Sequence, residues 1–197
     1  MKYKNIVFDF GNVIGKFDGW HLLKQFTSSA EDQELLFSAI FSGWDKIDSG
    51  SVSYEQYAED TAASLPKRLE PVVRTFFREW PRFLTPIEDT LNFIKELKDR
   101  QIPFYLLSNA PTYFAEYSSN YDFLKDFSGI VFSAPLKMAK PDPAIYQYLF
   151  HTFSLDPKEC FFIDDLAPNI AAARSLGMDG MIFQGNIDDV KKGAVAK

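Results

Sequence analysis

One cysteine, Cys160, is present among 197 residues, so the chain cannot close an internal disulfide, and a reducing cytoplasm is its expected compartment. No run of lysine or arginine occurs and the net charge is −6, which excludes a basic nucleic-acid surface. Long apolar stretches are missing too. Only a handful of apolar residues follow Met1-Lys2-Tyr3-Lys4 before Asp9, too few for a membrane span or the core of a secretion signal. Internal repeats and low-complexity tracts are absent, and no strand-like run occurs between Lys16 and Pro86. What is present is ordinary for a globular chain: 46% hydrophobic and 24% charged residues, at a length that suits one core with a small inserted module.

The chain is organised around Ile6-Val7-Phe8-Asp9-Phe10-Gly11-Asn12-Val13-Ile14. A short apolar run bounded by turn residues fits a buried strand of a parallel sheet. Here it ends in a carboxylate, and in open α/β sheets ligands sit beyond the carboxyl ends of the strands. Three more apolar runs are followed by polar residues: Ile102 to Leu107 by Ser108-Asn109, Gly129 to Phe132 by a loop reaching Lys140-Pro141, and Cys160 to Ile163 by Asp164-Asp165. A last strand is expected around Met181 to Phe183. Helical stretches separate these runs: Ile87 to Leu97, one opened by Pro111, Ala144 to Phe153, and Ala167 to Leu176. Thr85-Pro86-Ile87-Glu88 reads as a helix start with Thr85 as cap, and the polar tail from Lys191 to Lys197 is expected to fray. Alternation of this kind predicts an α/β fold with a Rossmann-like parallel sheet, its polar clusters converging at one edge.

Between the first and second strands the pattern is helical. Four helices are expected: one around Leu22 to Phe26, one over Leu35 to Ile40, one over Ser53 to Leu65 and one over Pro71 to Trp80. The predicted organisation is therefore a core of residues 1–15 and 86–197 with an inserted α-helical cap of residues 16–85. Asp45 to Gly50 reads as a loop beside Trp44. The many aromatics of the insert are expected to fill its small core, and Asp18 and His21 to be solvated.

Two carboxylate clusters, a hydroxyl, an amide and a lysine suit a phosphate and Mg2+, a cation that prefers hard oxygen ligands. Asp9, Asp165 and the backbone carbonyl of Gly11 can supply such oxygens, and Ser108 and Asn109 can hold phosphate oxygens. Lys140 can neutralise charge during phosphoryl transfer, and Asp9 is placed to act as a covalent nucleophile. Asn169, four residues after Asp165, is expected to share a helix face with it.

These stretches resemble the haloacid dehalogenase superfamily of phosphohydrolases over nearly the whole chain. Asp9-Phe10-Gly11-Asn12-Val13 matches its first motif, Ser108 its second, Lys140-Pro141 its third, and Asp164-Asp165 its fourth. The resemblance implies Asp9 as nucleophile and magnesium ligand, Asp165 as magnesium ligand and Asp164 as a further metal-shell carboxylate. It also implies Ser108 and Lys140 as phosphate holders, and small phosphorylated molecules as substrates. The chain departs from the family at Gly11, where the family's phosphatases carry an acid–base aspartate, and loss of such a group removes roughly 10²–10⁴-fold in rate. The motif is similar to that of a bacterial subgroup with glucose-1-phosphate phosphatases, which implies sugar 1-phosphates cleaved faster than 6-phosphates. Two alternatives stay open at this level: a non-catalytic phosphosugar- or partner-binding protein, and a metal-free carbon–halogen hydrolase, against which the acidic pair counts.

Overall fold

The computed structural model describes residues 2–195. β1 (Asn5–Phe8) is followed by the short β2 (Gly15–Lys16), and then by α1 (Gly19–Leu23), α2 (Ala30–Phe41), α3 (Trp44–Asp48), α4 (Tyr54–Ser64) and α5 (Glu70–Glu79). A 3₁₀ turn over Trp80–Phe83 leads to β3 (Thr85–Pro86), α6 (Glu88–Asp99), β4 (Phe104–Ser108) and α7 (Thr112–Tyr117). The chain then runs through β5 (Gly129–Phe132), α8 (Ser133–Leu136), α9 (Pro143–Phe153), β6 (Cys160–Asp164), α10 (Ala167–Ser175), β7 (Asp179–Ile182) and α11 (Ile187–Val195). The sheet order is β5-β4-β1-β6-β7 with every pair parallel, as the strand–helix alternation predicts.

Alternate strand residues face opposite layers. Ile6, Phe8, Leu106 and Ile163 join Phe93 and Leu97 of α6 and Val190 of α11 in one buried cluster. Val7, Leu107 and Phe162 join Ile145 and Leu149 of α9 and Ala173 of α10 in the other. Because β1 is central and its neighbours β4 and β6 lie on opposite sides, its carboxyl end sits at the point where the chain changes direction. That is where ligands bind in such sheets.

The helical run differs from expectation in three places. Thr85-Pro86 does not open α6; it pairs antiparallel with Gly15–Lys16, so both connections to the insert leave through one two-stranded ribbon. Helix α6 starts at Glu88 with Ile87 as an uncapped boundary residue. Asp45 to Asp48 is helical rather than looped, because Trp44 and Ile47 bury one face of a single turn. The tail also departs from a frayed end: Lys191 to Val195 complete α11, and residues 196–197 lie outside those described. Asp18 and His21 are exposed as expected, and Asp18 also caps α1, its carboxylate accepting from the backbone N–H groups of Trp20 and His21.

The insert is pinned to the sheet layer by aromatic and backbone contacts. Trp80 stacks on Phe114 at 5.4 Å between ring centres, and Tyr54 stacks on Tyr113 at 5.0 Å. Gly50, just after α3, has φ +68 and packs on the backbone of Ala134, where an added Cβ would come within 2.3 Å of the carbonyl oxygen. Gly50→Ala is therefore expected to lose stability by about 1–2 kcal/mol from the left-handed backbone alone. The steric overlap adds to that loss, measured as a lower urea midpoint with unchanged m-value.

Candidate active site

The register brings the predicted residues together. Phe8 pairs with Leu106 on one side and Ile163 on the other, so Asp9 comes level with Asp164 and Ser108 stands one residue further out. The Asp9 amide donates to the Ile163 carbonyl at 2.8 Å, which carries the pairing up to the carboxylate. Asp9, Ser108, Asn109, Lys140, Asp165 and Asn169 all line one cavity of about 280 Å³.

Lys140 is the hub. Its Nζ donates to Asp9 Oδ1 at 2.8 Å and to Asp164 Oδ2 at 2.7 Å, with only 1% of the side chain exposed. Asn109, expected to hold phosphate, lines the cavity and also clamps the lysine backbone: the Lys140 N–H donates to its Oδ1, and its Nδ2 donates to the Lys140 carbonyl, both at 2.8 Å. Asp164 is fully buried, and both its oxygens are occupied. It accepts from Lys140, from the Leu166 N–H at 2.8 Å, and from Asn169 Nδ2 at 3.0 Å on each oxygen. Asn169 thus serves Asp164 rather than Asp165, and its own carbonyl accepts from the Tyr146 hydroxyl at 2.9 Å. Asp165 is held instead by Asn12 Nδ2 at 3.0 Å, from a residue whose positive φ an asparagine tolerates well. The Ser108 hydroxyl is nearly buried, and its one hydrogen bond among the described residues, at 3.5 Å to the Asn109 carbonyl, is too long to hold it firmly.

The oxygens of Asp9, Asp164 and Asp165 lie within 4.8 Å of one another, a spacing and chemistry that fit a hard divalent cation. Since Asp164 is engaged with Lys140, Asn169 and Leu166, Asp9 and Asp165 are the freer ligands. Burial raises the Asp9 carboxyl above the usual aspartate range, Lys140 pulls it back, and Asp164 pushes it up again. Burial works against the Lys140 ammonium, but the charges of Asp9 and Asp164 prevail and hold it above its ordinary value. Burial likewise raises Asp165, opposed by its bond from Asn12.

The upper wall of the cavity comes from the insert and α7. Phe17, Trp44, Trp80 and Phe114 form an aromatic lining, and Trp44 is buried in it rather than flanking a loop. Asp48 lines the same cavity, and reading the sequence missed it. The signal was the Trp44–Ile47 spacing, which marks a helical turn and puts Asp48 one turn after Trp44 on the cavity side. Asp18 and His21 do not line it. Asp164→Ala, which leaves the buried ammonium with one partner fewer, is expected to cost about 3–5 kcal/mol of folding stability. Thermal melting checks it, and a loss under 1 kcal/mol would show Lys140 to be held without Asp164.

The model of the haloacid dehalogenase-like hydrolases matches residues 3–177. A sesquiterpene phosphatase of Aspergillus oryzae is 24% identical over 181 residues, covering 91% of this chain and 89% of the relative. A D-ribitol-5-phosphate phosphatase of Bacteroides thetaiotaomicron is 25% identical over 187 residues, covering 89% of each. Two other relatives are longer, and the chain spans 17% and 10% of their lengths. Among solved structures, a HAD family enzyme of Bacteroides thetaiotaomicron, in complex with magnesium and inorganic phosphate, shares the fold with a TM-score of 0.71. It is 24% identical and covers 93% of this chain and 96% of its own. No helix among the described residues is long and apolar enough to cross a membrane. The length of the family match and the four motifs gathered at one sheet edge give one conclusion: the chain belongs to the haloacid dehalogenase-like hydrolases.

Proposed function

We propose that this protein is a magnesium-dependent phosphatase of small phosphomonoesters, with Asp9 as the nucleophile and an aspartyl phosphate as intermediate. The observation that carries the reading is the cavity in which a lysine-bound carboxylate, two further carboxylates and a free serine hydroxyl meet. Lys140 holds the Asp9 carboxylate in place and offers charge to the phosphoryl oxygens as the P–O bond lengthens. Ser108 donates to a phosphate oxygen, and Asn109 and Asp164 fix Lys140 from behind. Asp9, Asp165 and the Gly11 carbonyl would hold magnesium, which when bound draws charge from the phosphate oxygens. Residues 16–85 form a cap over this edge, and its aromatic wall selects the organic half of the ester. A non-catalytic role fits less well, because Lys140, two buried carboxylates and the half-buried Asp165 are kept in one arrangement suited to a metal and a phosphate.

For the organic half, two readings have support. The relative named for D-ribitol 5-phosphate favours sugar and polyol phosphates, and the first motif favours glucose 1-phosphate among them. The wall of Phe17, Trp44, Trp80, Leu84 and Phe114 favours an apolar group, in line with the relative named for sesquiterpenes. Phosphate release from D-ribitol 5-phosphate, glucose 1-phosphate, glucose 6-phosphate and a sesquiterpenyl phosphate separates them. The expected outcome is turnover that needs magnesium and is abolished in Asp9→Asn. Release from none of these esters, with magnesium and above the Asp9→Asn background, would instead favour the binding role.

A further inference from the structure

Cleaving a phosphomonoester expels an alkoxide, a poor leaving group unless a proton reaches it in the transition state. Few groups in the cavity can give one. Lys140 is fixed between two carboxylates, Asp9 is the attacking group, and Asp165 is tied to Asn12. Gly11 has no side chain, although a Cβ built there would meet only Asp9 Oδ2, at 4.0 Å, so the position has room that the chain leaves unused.

Asp48 lines the same cavity from the insert. Its Oδ1 is one of two buried side-chain atoms without a hydrogen-bond partner among the described residues; the other, Thr90 Oγ1 on α6, does not line the cavity. The backbone of Asp48 is fixed with unusual directness. Its carbonyl accepts from the Ser133 hydroxyl, whose oxygen in turn accepts from the Ala110 N–H at 2.8 Å. One serine thus ties Asp48 to the loop that carries Ser108 and Asn109.

We propose that Asp48 is the acid and base of the reaction, supplying from the insert the carboxyl that Gly11 lacks. This rests on the phosphatase reading above. In the first step an Asp9 oxygen bonds to phosphorus, the bond from phosphorus to the ester oxygen breaks, and the Asp48 proton passes to that oxygen to release the alcohol. In the second step the Asp48 carboxylate takes a proton from water, the water oxygen bonds to phosphorus, and the bond from phosphorus to Asp9 breaks. Inorganic phosphate leaves and both aspartates return to their starting states. Burial holds the Asp48 carboxyl well above the usual aspartate range, and the charges of Asp9 and Asp45 push it the same way against Lys140 and a hydrogen bond from the Trp44 side chain. This balance favours the protonated form, the one the first step needs.

The test compares 4-nitrophenyl, phenyl and benzyl phosphates, an ordered series from a good leaving group to a poor one, in the parent and in Asp48→Asn. In the variant, kcat/KM for benzyl phosphate is expected to fall by about 10²–10⁴-fold. With 4-nitrophenyl phosphate it should instead give a burst of one nitrophenol per enzyme, followed by slow turnover with trapped phosphoenzyme. Adding Gly11→Asp to Asp48→Asn should restore benzyl phosphate cleavage. Folding is read separately: a raised carboxyl pKa means stability lost as pH climbs above the unfolded value of about 4. Asp48→Asn should therefore melt higher than the parent at pH 8 and not at pH 4. The parent provides an arm that needs no variant, since alkaline pH should depress kcat/KM for benzyl phosphate more than for 4-nitrophenyl phosphate. Equal losses across the series in a folded variant, or an alkaline limb identical for all three esters, would overturn the assignment to Asp48. Magnesium-dependent turnover lost in Asp9→Asn would meanwhile leave the phosphatase reading in place.

Discussion

A lysine ammonium with 1% of its side chain exposed, gripped by Asp9 and Asp164, is the constraint on which the rest of the site depends. A buried charge is costly unless paired and hydrogen-bonded, so its surroundings are built to satisfy it. Asn109 at the end of β4 clamps the lysine backbone, and Asn169 on α10 orients Asp164. Tyr146 on α9 then steadies Asn169. Three strand ends and two helices thus meet at one ammonium. The parallel sheet makes this meeting possible, because only parallel strands deliver all their carboxyl ends to one edge.

The aromatic residues of the insert supply its core. A module of short helices buries little surface by itself, and large flat side chains give it area at few positions. They pack in a continuous mass from Phe26 and Phe76 through Trp44 to Trp80, and Trp80 then stacks on Phe114 of α7. The same rings that hold the insert together therefore wall the cavity. Substitutions that reshape substrate preference here act on core residues, so specificity and stability are coupled in this half of the molecule.

Much of the fold was legible because its signals are local. Four apolar runs ending in polar residues marked the strands, and their order along the chain was enough to gather Asp9, Ser108, Lys140 and the acidic pair at one edge. What escaped depends on distant neighbours. Thr85-Pro86 carries every mark of a helix start, yet pairing with Gly15–Lys16 overrides it. Asn169 sits four residues after Asp165 and five after Asp164, and only the packed loop decides that it bonds the latter. No sequence signal reveals that Asn109 clamps the Lys140 backbone. Asp48 was hidden most thoroughly, since α3 is a five-residue helix whose place is set by Ser133 and by Gly50 lying against Ala134.

Burial raises two carboxyls that line one cavity, and their neighbours then act on them differently. Asp9 has an ammonium 2.8 Å away, which favours its charged form and a nucleophilic role. Asp48 has an unpartnered buried oxygen, and burial with the negative charges of Asp9 and Asp45 favours its neutral form over the opposing Lys140 charge and Trp44 hydrogen bond. Surroundings that favour the anion more at one carboxyl than at the other suit a nucleophile and an acid, the two states that attack on phosphorus and departure of an alkoxide require. The unsatisfied oxygen makes physical sense on that view. A hydrogen-bond donor placed on it would favour the carboxylate and leave the cavity with two bases and no acid. The close seating of Gly50 and Ser133 fixes the backbone that carries it.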